Sequence, residues 1–185
     1  MKSMVSLRTP TFFARSSWVR SYLALSSFIL VFTAFKALLF LAAGGVLHVT
    51  ERKDMFEMGG IRRAVPKTFA AMLIGALALS GIPPFSGFWS KDSIIGYTWE
   101  FSSTDPVPGL LLFTLSVASA AITIFYSLRM IGLSFLGGKS KHIKELEKEE
   151  HKIHDPGWAM MTPIMILAAF SVIGGFLGPL ISNYF

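Results

Sequence analysis

Residues 73–92 read LIGALALSGIPPFSGFWSKD, an apolar run that is interrupted by two adjacent prolines and followed by a lysine and an aspartate. Proline has no backbone N–H to donate and clashes with the preceding helical turn, and glycine loosens the backbone beside it. The prolines and glycines that interrupt the run are Pro83, Pro84, Gly81 and Gly87. Their positions predict a broken helix, with one piece over Thr68–Ser80, a non-helical stretch, and a second piece beginning near Ser86. A simple proline kink is the alternative.

Four apolar stretches of the chain are long enough to cross a bilayer, which takes about 20 helical residues. They are Tyr22–Val49, Thr68–Tyr97, Val107–Leu136 and Trp158–Ile181. Backbone groups in lipid must be paired within their own segment, so we expect these stretches to be helices. The sequence therefore predicts an all-α, polytopic membrane protein with about four transmembrane helices, the second of them broken at Pro83–Pro84.

The composition agrees with a membrane protein. Hydrophobic residues make up 52% of the chain and charged residues 15%, and the mean hydropathy is +0.57; ordinary soluble domains have about 25% charged residues. A soluble enzyme and a disordered chain are both disfavoured. Cysteine is absent, which excludes disulfides, thiolate catalysis and cysteine-held iron–sulfur clusters from the residues given.

The basic residues lie in the short connections between the apolar stretches. Thr50–Lys67 and Gly137–Gly157 carry five Lys or Arg each, whereas Thr98–Pro106 carries none. Cytoplasmic loops of membrane proteins are enriched in these residues. We therefore predict these two loops on the cytoplasmic side of the cell membrane (inner or plasma) and both termini outside. The four Lys and Arg of an atypical basic leader, residues 1–21, weaken this bias; residues 22–185 form the membrane domain. The lipid bilayer is the expected partner, and nucleic acid is not.

Lys36 lies in the middle of the first apolar stretch. An ammonium group at the bilayer centre costs roughly 2.5–3.5 kcal/mol on insertion scales. Snorkelling to the interface is the alternative, but it works near helix ends. We therefore expect Lys36 to be a titratable group that faces a bundle interior or a chain of waters. Thr33 precedes it by three residues on the same helical face and can offer a hydroxyl to such a chain.

Lys91 and Asp92 follow the predicted break. Adjacent residues on a helix do not face each other, so they are not a ready-made ion pair. One of them can face the interior while the other caps the helix or reaches the interface; a plain interfacial position for both is the alternative. His48, near the end of the first span, can take up a proton near neutral pH, and an ordinary interfacial histidine fits equally well. We expect no metal site and no redox or hydrolytic chemistry.

Four stretches then carry a resemblance, in this order: FKALLFLAAGGVLH from Phe35, DMFEMGGIRRAVP from Asp54, LIGALALSGIPPFSGFWSKDSI from Leu73 and FYSLRMI from Phe125. Together they closely resemble the antiporter-like membrane subunits of respiratory complex I, the chain 5 or subunit L family of NADH–quinone oxidoreductases. The resemblance runs from about Phe35 to Pro179. Its most specific part is GIPPFSGFWSKD.

The resemblance implies roles for individual residues. Lys36 is similar to the central lysine of the family's proton path, and Lys91 to the terminal lysine on the broken helix, with Asp92 beside it. His48 occupies a position that is often histidine. The resemblance also implies no cofactor on this chain, with flavin, iron–sulfur clusters and quinone on partner subunits of a complex I-like assembly. The chain would then belong to a proton-translocating NADH:quinone oxidoreductase without catalysing redox chemistry itself.

Two departures from the family pattern qualify this interpretation. Thr33 stands where the family usually has a histidine, and the family subunit has many more helices, so the chain resembles a C-terminal portion. A gene fragment, a truncated non-functional product and one piece of a split subunit all remain open. The related alternatives are subunits of a multisubunit Na⁺/H⁺ antiporter, an archaeal deazaflavin-dependent dehydrogenase or a membrane-bound hydrogenase. The electron donor, the quinone and the coupling ion also remain open.

Overall fold

The computed structural model describes residues 11–148 and 154–182, and all regular structure in these ranges is helical. The α-helices are α1 (Thr11–Thr50), α2 (Pro66–Ser80), α3 (Ser86–Thr104), α4 (Pro106–Ile131), α5 (Lys141–Lys148) and α6 (Trp158–Ser182). A 3₁₀ turn covers Ile61–Arg63 and a π-helical stretch covers Gly132–Leu136. The predicted all-α class is confirmed.

The predicted break is present. Helix α2 ends at Ser80 and α3 begins at Ser86, as the sequence indicated. Gly81 has a φ of 73°, in the left-handed region that glycine adopts without steric cost. The backbone N–H groups of Gly81 and Ile82 donate to the carbonyls of Ala78 and Leu77, so the last turn of α2 closes as helices commonly do at a glycine.

The connection predicted over Thr98–Pro106 is much shorter in the structure. Helix α3 continues to Thr104, and only Asp105 separates it from α4. The two helices form a tight antiparallel hairpin, because a Cβ on Gly109 would lie 2.3 Å from the Cα of Ser102. The expected end at Tyr97 was therefore wrong, since hydropathy falls at this point while helical packing continues.

The other boundaries also differ from the predicted ones. Helix α1 begins at Thr11, so residues 11–21 of the predicted leader are helical, and residues 1–10 lie outside the described residues. Within the described ranges, the helices long and apolar enough to cross a membrane are α1 over Phe32–Thr50, α4 and α6, and α2 is a shorter apolar helix. The broken second span is thus an apolar half followed by a more polar one.

The core lies where α1, α2 and α6 pack together. One buried cluster joins Leu38 of α1 and Ala71 of α2 to Ile164 and Ala168 of α6. Gly75 of α2 faces Leu39 so closely that a Cβ would lie 2.9 Å from its side chain. A second cluster lies nearer the loops and includes Val46, Ile61, Met72, Phe135 and Ile143. This core fixes α2, the first half of the broken span.

The two lysine- and arginine-rich loops meet at one end of the bundle. The Ser140 backbone N–H donates to the Gly59 carbonyl at 3.4 Å, and the Ser140 hydroxyl donates to the Glu57 carbonyl. His142 Nε2 lies 3.2 Å from the carbonyl oxygen of Thr50, the last residue of α1. The loops at 51–65 and 137–157 therefore share one side of the bundle over their described residues.

Candidate functional site

Close backbone contacts hold the helix break in place. A Cβ on Gly87 would lie 1.8 Å from the Ala78 carbonyl oxygen, so the start of α3 touches the end of α2 directly. A Cβ on Gly175 of α6 would lie 2.1 Å from the carbonyl oxygen of Pro84. The indole Nε1–H of Trp89 donates to the Gly175 carbonyl at 2.8 Å. Glycine at these two positions lets three backbone segments meet at the break.

Lys91 points back from α3 towards the end of α2. Its Nζ donates to the carbonyl oxygen of Ser80 at 3.3 Å, and its Cδ lies next to Gly81. The last carbonyls of a helix have no partner within the helix and carry the negative end of its dipole, so they attract a cation. Asp92, by contrast, is exposed. The structure thus separates the two residues, as expected for neighbours on a helix.

A cavity of about 380 Å³ opens beside Lys91, between α1, α3 and α4. Its walls are mostly apolar, and its polar groups are Lys91 and three serines. Its lining residues are Phe32, Ser90, Lys91, Ile94, Ile95, Leu112, Leu115, Ser116, Ser119 and Ala120. The space is large enough for several waters. The Ser90 and Ser116 hydroxyls donate to carbonyls of their own helices, at Gly87 and Leu112, and keep lone pairs that can accept hydrogen bonds.

Lys36 lies on the exposed side of α1. Its Nζ lies 4.3 Å from the centroid of the Phe32 ring, a cation–π arrangement, and Phe32 also lines the cavity of Lys91. The expectation that Lys36 faces the interior is not met within the described bundle. Lys36 does not line the cavity of Lys91, whereas its contact Phe32 does.

Two other predicted residues lie away from this cavity. The Thr33 hydroxyl donates to the Ile29 carbonyl at 2.7 Å, within its own helix, and Thr33 is exposed. His48 is exposed in the last turn of α1, at the end where the basic loops meet. Phe32 therefore links the two lysines, since it contacts Lys36 and lines the cavity of Lys91. Thr33, His48 and Asp92 are not among the residues that line this cavity.

Sequence reasoning missed the residues that complete the site. Phe32 looked like one more apolar residue of a span, although its spacing of four from Lys36 places both on one helical face. Ser116 and Ser119 have the same kind of spacing on α4 and mark a polar strip in an otherwise apolar helix. In the described part of the chain, no three His, Cys, Asp or Glu residues lie close enough to hold a metal ion.

A lysine at a helix break, beside a partly polar cavity in a membrane bundle, is an arrangement suited to ion transport. The family described as NADH:quinone oxidoreductase/Mrp antiporter, TM, matches residues 12–123, which is more than half of the chain. The chain belongs to this NADH:quinone oxidoreductase/Mrp antiporter family. The matched range contains Lys36, the break and Lys91, so the site described above lies inside the family's own region.

Relatives of this chain are membrane subunits of the same family. NADH-quinone oxidoreductase subunit L of Rickettsia felis is 42% identical over 146 residues, which is 78% of this chain and 21% of the relative. NAD(P)H-quinone oxidoreductase chain 5 of Picosynechococcus is 40% identical over 78% of this chain and 24% of the relative. NADH-ubiquinone oxidoreductase chain 5 of Marchantia polymorpha is 38% identical over 77% of this chain and 20% of the relative. The chain thus spans about a fifth to a quarter of these relatives.

Proposed function

We propose that this chain is a membrane portion of the proton-translocating, antiporter-like subunit of an NADH–quinone oxidoreductase, with Lys36 and Lys91 on its proton path. The observation that carries the proposal is the position of Lys91. Its ammonium caps the broken helix α2 through the Ser80 carbonyl and borders a cavity whose wall includes Phe32. Lys36 contacts the ring of the same Phe32.

The arrangement suits a group that exchanges protons. A lysine amine holds a proton on a flexible four-carbon stem and can release it, unlike arginine. The Ser80 carbonyl stabilises the charged form of Lys91, while the apolar cavity wall disfavours it. Serine hydroxyls on α3 and α4 offer hydrogen-bonding positions along the cavity. These opposing influences let modest changes in the surroundings move the proton on or off.

The redox step belongs elsewhere in this proposal. The sequence given has no cysteine for an iron–sulfur cluster, and the relatives are subunits by name. We therefore place the flavin, the clusters and the quinone on partner subunits, and the chain's contribution in ion movement within the membrane. The partners implied are the other membrane subunits of the same assembly.

We also propose an orientation. The described residues of the loops at 51–65 and 137–157 share one end of the bundle and carry most of the lysine and arginine whose exposure the structure describes. The enrichment of these residues in cytoplasmic loops puts this end in the cytoplasm, and both termini on the opposite side of the cell membrane. Lys91 then lies on the outer side of the broken span.

The test is Lys91→Ala in the full-length subunit within its assembled complex. We expect proton pumping per electron transferred to fall severalfold while the complex still assembles. Lys53→Ala, which removes an exposed loop lysine, is the matched control and should pump normally. Unchanged pumping by the Lys91 variant would contradict the proposal. Sodium transport that proceeds without quinone reduction would instead favour an antiporter.

A further inference from the structure

The register of the α3–α4 hairpin orders the residues that line the cavity beside Lys91. Trp99 packs on Phe113 with ring centroids 5.1 Å apart, and Ser102 lies against Gly109 closer to the turn. Both helices rise about 1.5 Å per residue, so each step back along α3 is matched by a step forward along α4. The two contacts therefore fix which cavity residues lie level with one another.

One end of the cavity is polar and the other is apolar. By the hairpin register, Lys91 lies level with Ser119 of α4, at the end nearer the helix break. Towards the turn, the cavity is lined by Ile94 of α3 and by Leu112 and Leu115 of α4. From Ser119 to Leu112 the wall follows about 10 Å of helix. The cavity is therefore amphipathic along its length.

Two hydrogen-bond donors are available at the polar end. The Lys91 ammonium has three N–H groups, and its hydrogen-bond partner within the described residues is the Ser80 carbonyl. Ser90 and Ser116 donate to carbonyls of their own helices, whereas the described part of the chain supplies no hydrogen-bond partner for the Ser119 hydroxyl. The polar end thus offers one positive charge and donors from two helices.

We propose that this cavity is a binding site for an alkyl monocarboxylate, a fatty acid, whose carboxylate bonds to Lys91 and Ser119 and whose chain lies along the apolar wall. A carboxylate has two acceptor oxygens and forms strong hydrogen bonds with an ammonium group. The cavity volume of about 380 Å³ lies in the range of small-molecule sites.

The charge and the number of donors select the chemical class. A cation would be repelled by the Lys91 ammonium at short range in a low-dielectric environment, and a neutral amphiphile would leave that charge without a counter-charge. A phosphate group brings up to two negative charges and three strong acceptor oxygens, more than one ammonium and one hydroxyl can satisfy. A carboxylate brings one charge and two oxygens, which these two groups match.

An alkyl acid can reach the cavity from the bilayer. Ile94 is 51% exposed and Leu115 is 59% exposed in the described bundle, so the apolar wall is open to the side. An acid that enters in its neutral form can pass its proton to the neutral amine of Lys91: an O–H bond breaks, an N–H bond forms, and the resulting pair has no net charge. The carboxylate then favours the charged form of the lysine and keeps its proton in place. This block of proton exchange, unlike the binding itself, rests on the proposed function.

The binding test uses the full-length subunit in its assembled complex, in lipid vesicles, with a diazirine-bearing decanoic acid as the photoreactive probe. We expect the label on the segments of α1, α3 and α4 that line the cavity. Decanoate should compete at least tenfold better than 1-decanol or decyltrimethylammonium, which carry the same chain without a carboxylate. Equal competition by 1-decanol would overturn the inference.

Variants test the two ends of the cavity separately. Lys91→Ala should lower the labelling at least tenfold, while Lys91→Arg, which keeps the charge, should retain most of it. Leu115→Trp should fill the apolar end and lower the labelling severalfold. Leu110→Trp is its matched control, because Leu110 is a similarly exposed leucine of α4 that does not line the cavity. Labelling that is unchanged in both Lys91→Ala and Leu115→Trp would contradict the site.

The functional readout is electron transfer to quinone in uncoupled membranes. Decanoate should slow it severalfold in the unaltered complex and in Leu110→Trp, and less in Leu115→Trp. Labelling of the expected pattern without slower electron transfer would contradict the proposed function and support the site. An aspartate or glutamate of the assembled complex that is bonded to Lys91 in density maps, with no labelling of the cavity, would overturn the inference instead.

Discussion

Lys91 reaches back over eleven residues to donate a hydrogen bond to the Ser80 carbonyl, at 3.3 Å, across the break between α3 and α2. The carbonyls at the end of a helix need partners from outside it. Here the partner is the side chain that we place on the proton path. The end of α2 and the Lys91 side chain are therefore one structural unit, and loss of the Lys91 charge would leave the Ser80 carbonyl with a weaker donor.

Pumping should require that Lys36 can release its proton; a permanent positive charge at this position should not be enough. In the full-length subunit, Lys36→Ala should leave assembly intact, because Lys36 is exposed in the described bundle, and should lower coupled pumping severalfold. Lys36→Arg should also impair pumping, since arginine keeps its charge and can still contact Phe32. If the arginine variant pumps normally, only the charge of this residue is needed.

Replacing both Pro83 and Pro84 with alanine should restore two backbone N–H groups and allow helical hydrogen bonds across the break. The expected result is a straighter span that carries Lys91 away from the Ser80 carbonyl, with reduced pumping and preserved assembly. Proton-to-electron stoichiometry measured on reconstituted complex is the readout. A proton-to-electron stoichiometry equal to that of the unaltered protein would show that the prolines are not needed for pumping and only bend the helix.

Gly87→Ala should destabilise the subunit. The new Cβ would lie 1.8 Å from the Ala78 carbonyl oxygen, a backbone atom that cannot move aside without shifting α2. Overpacking of this kind costs about 1–3 kcal/mol. Gly44→Ala is the matched control, because nothing lies within 4 Å of its added Cβ. Thermal stability of the purified complex should fall for the first variant only; equal stability of the two would contradict the close contact.

Asp155→Ala should weaken the start of α2. The Asp155 carboxylate accepts hydrogen bonds from the Thr68 N–H at 3.0 Å and the Thr68 hydroxyl at 2.9 Å, and its negative charge suits a helix N-terminus. Loss of such a cap costs about 1 kcal/mol. Asp105→Ala is the control, since Asp105 precedes α4 without a side-chain capping bond. Similar losses of thermal stability in both variants would argue against the cap.

Labelling of single introduced cysteines should show that the two basic loops lie on the same side of the membrane. The sequence given has no cysteine of its own. Cysteines at Asp54 and Lys139 should react with a membrane-impermeant reagent from the same side of the membrane, the cytoplasmic one, and a cysteine at Thr104 from the other. Labelling of positions 54 and 139 from opposite sides would contradict the loop contacts, and labelling of both from outside would reverse the orientation.

The break was predictable because its cause is local. Two prolines and a glycine dictate where α2 must end, and both Ser80 and Ser86 emerged from the sequence as its borders. The end of α3 was not predictable in this way. Hydropathy falls after Tyr97, yet the helix continues to Thr104, because Trp99 packs on Phe113 and Ser102 on Gly109 of the next helix. These contacts are between two helices, and the hydrophobic periodicity of each helix alone does not show which residues of the two will meet.

The same limit applies to the site. Lys36 and Lys91 stand out in the sequence because charges in apolar stretches are costly. The side to which Lys36 points, and the position of Phe32 in the wall of the cavity beside Lys91, depend on how α1 is rotated against α3 and α4.

A broken helix in a membrane bundle is easily pictured as a pivot, but the glycine contacts give this one the opposite character. With Gly87 against Ala78, and Gly175 against Pro84, neither α3 nor α6 can move closer to the end of α2 and the break without driving one backbone into another. Motion near the break then falls to the Lys91 side chain, whose four-carbon stem is flexible. The backbone at the break then stays fixed, and a proton would be moved by a rotamer change of the Lys91 side chain.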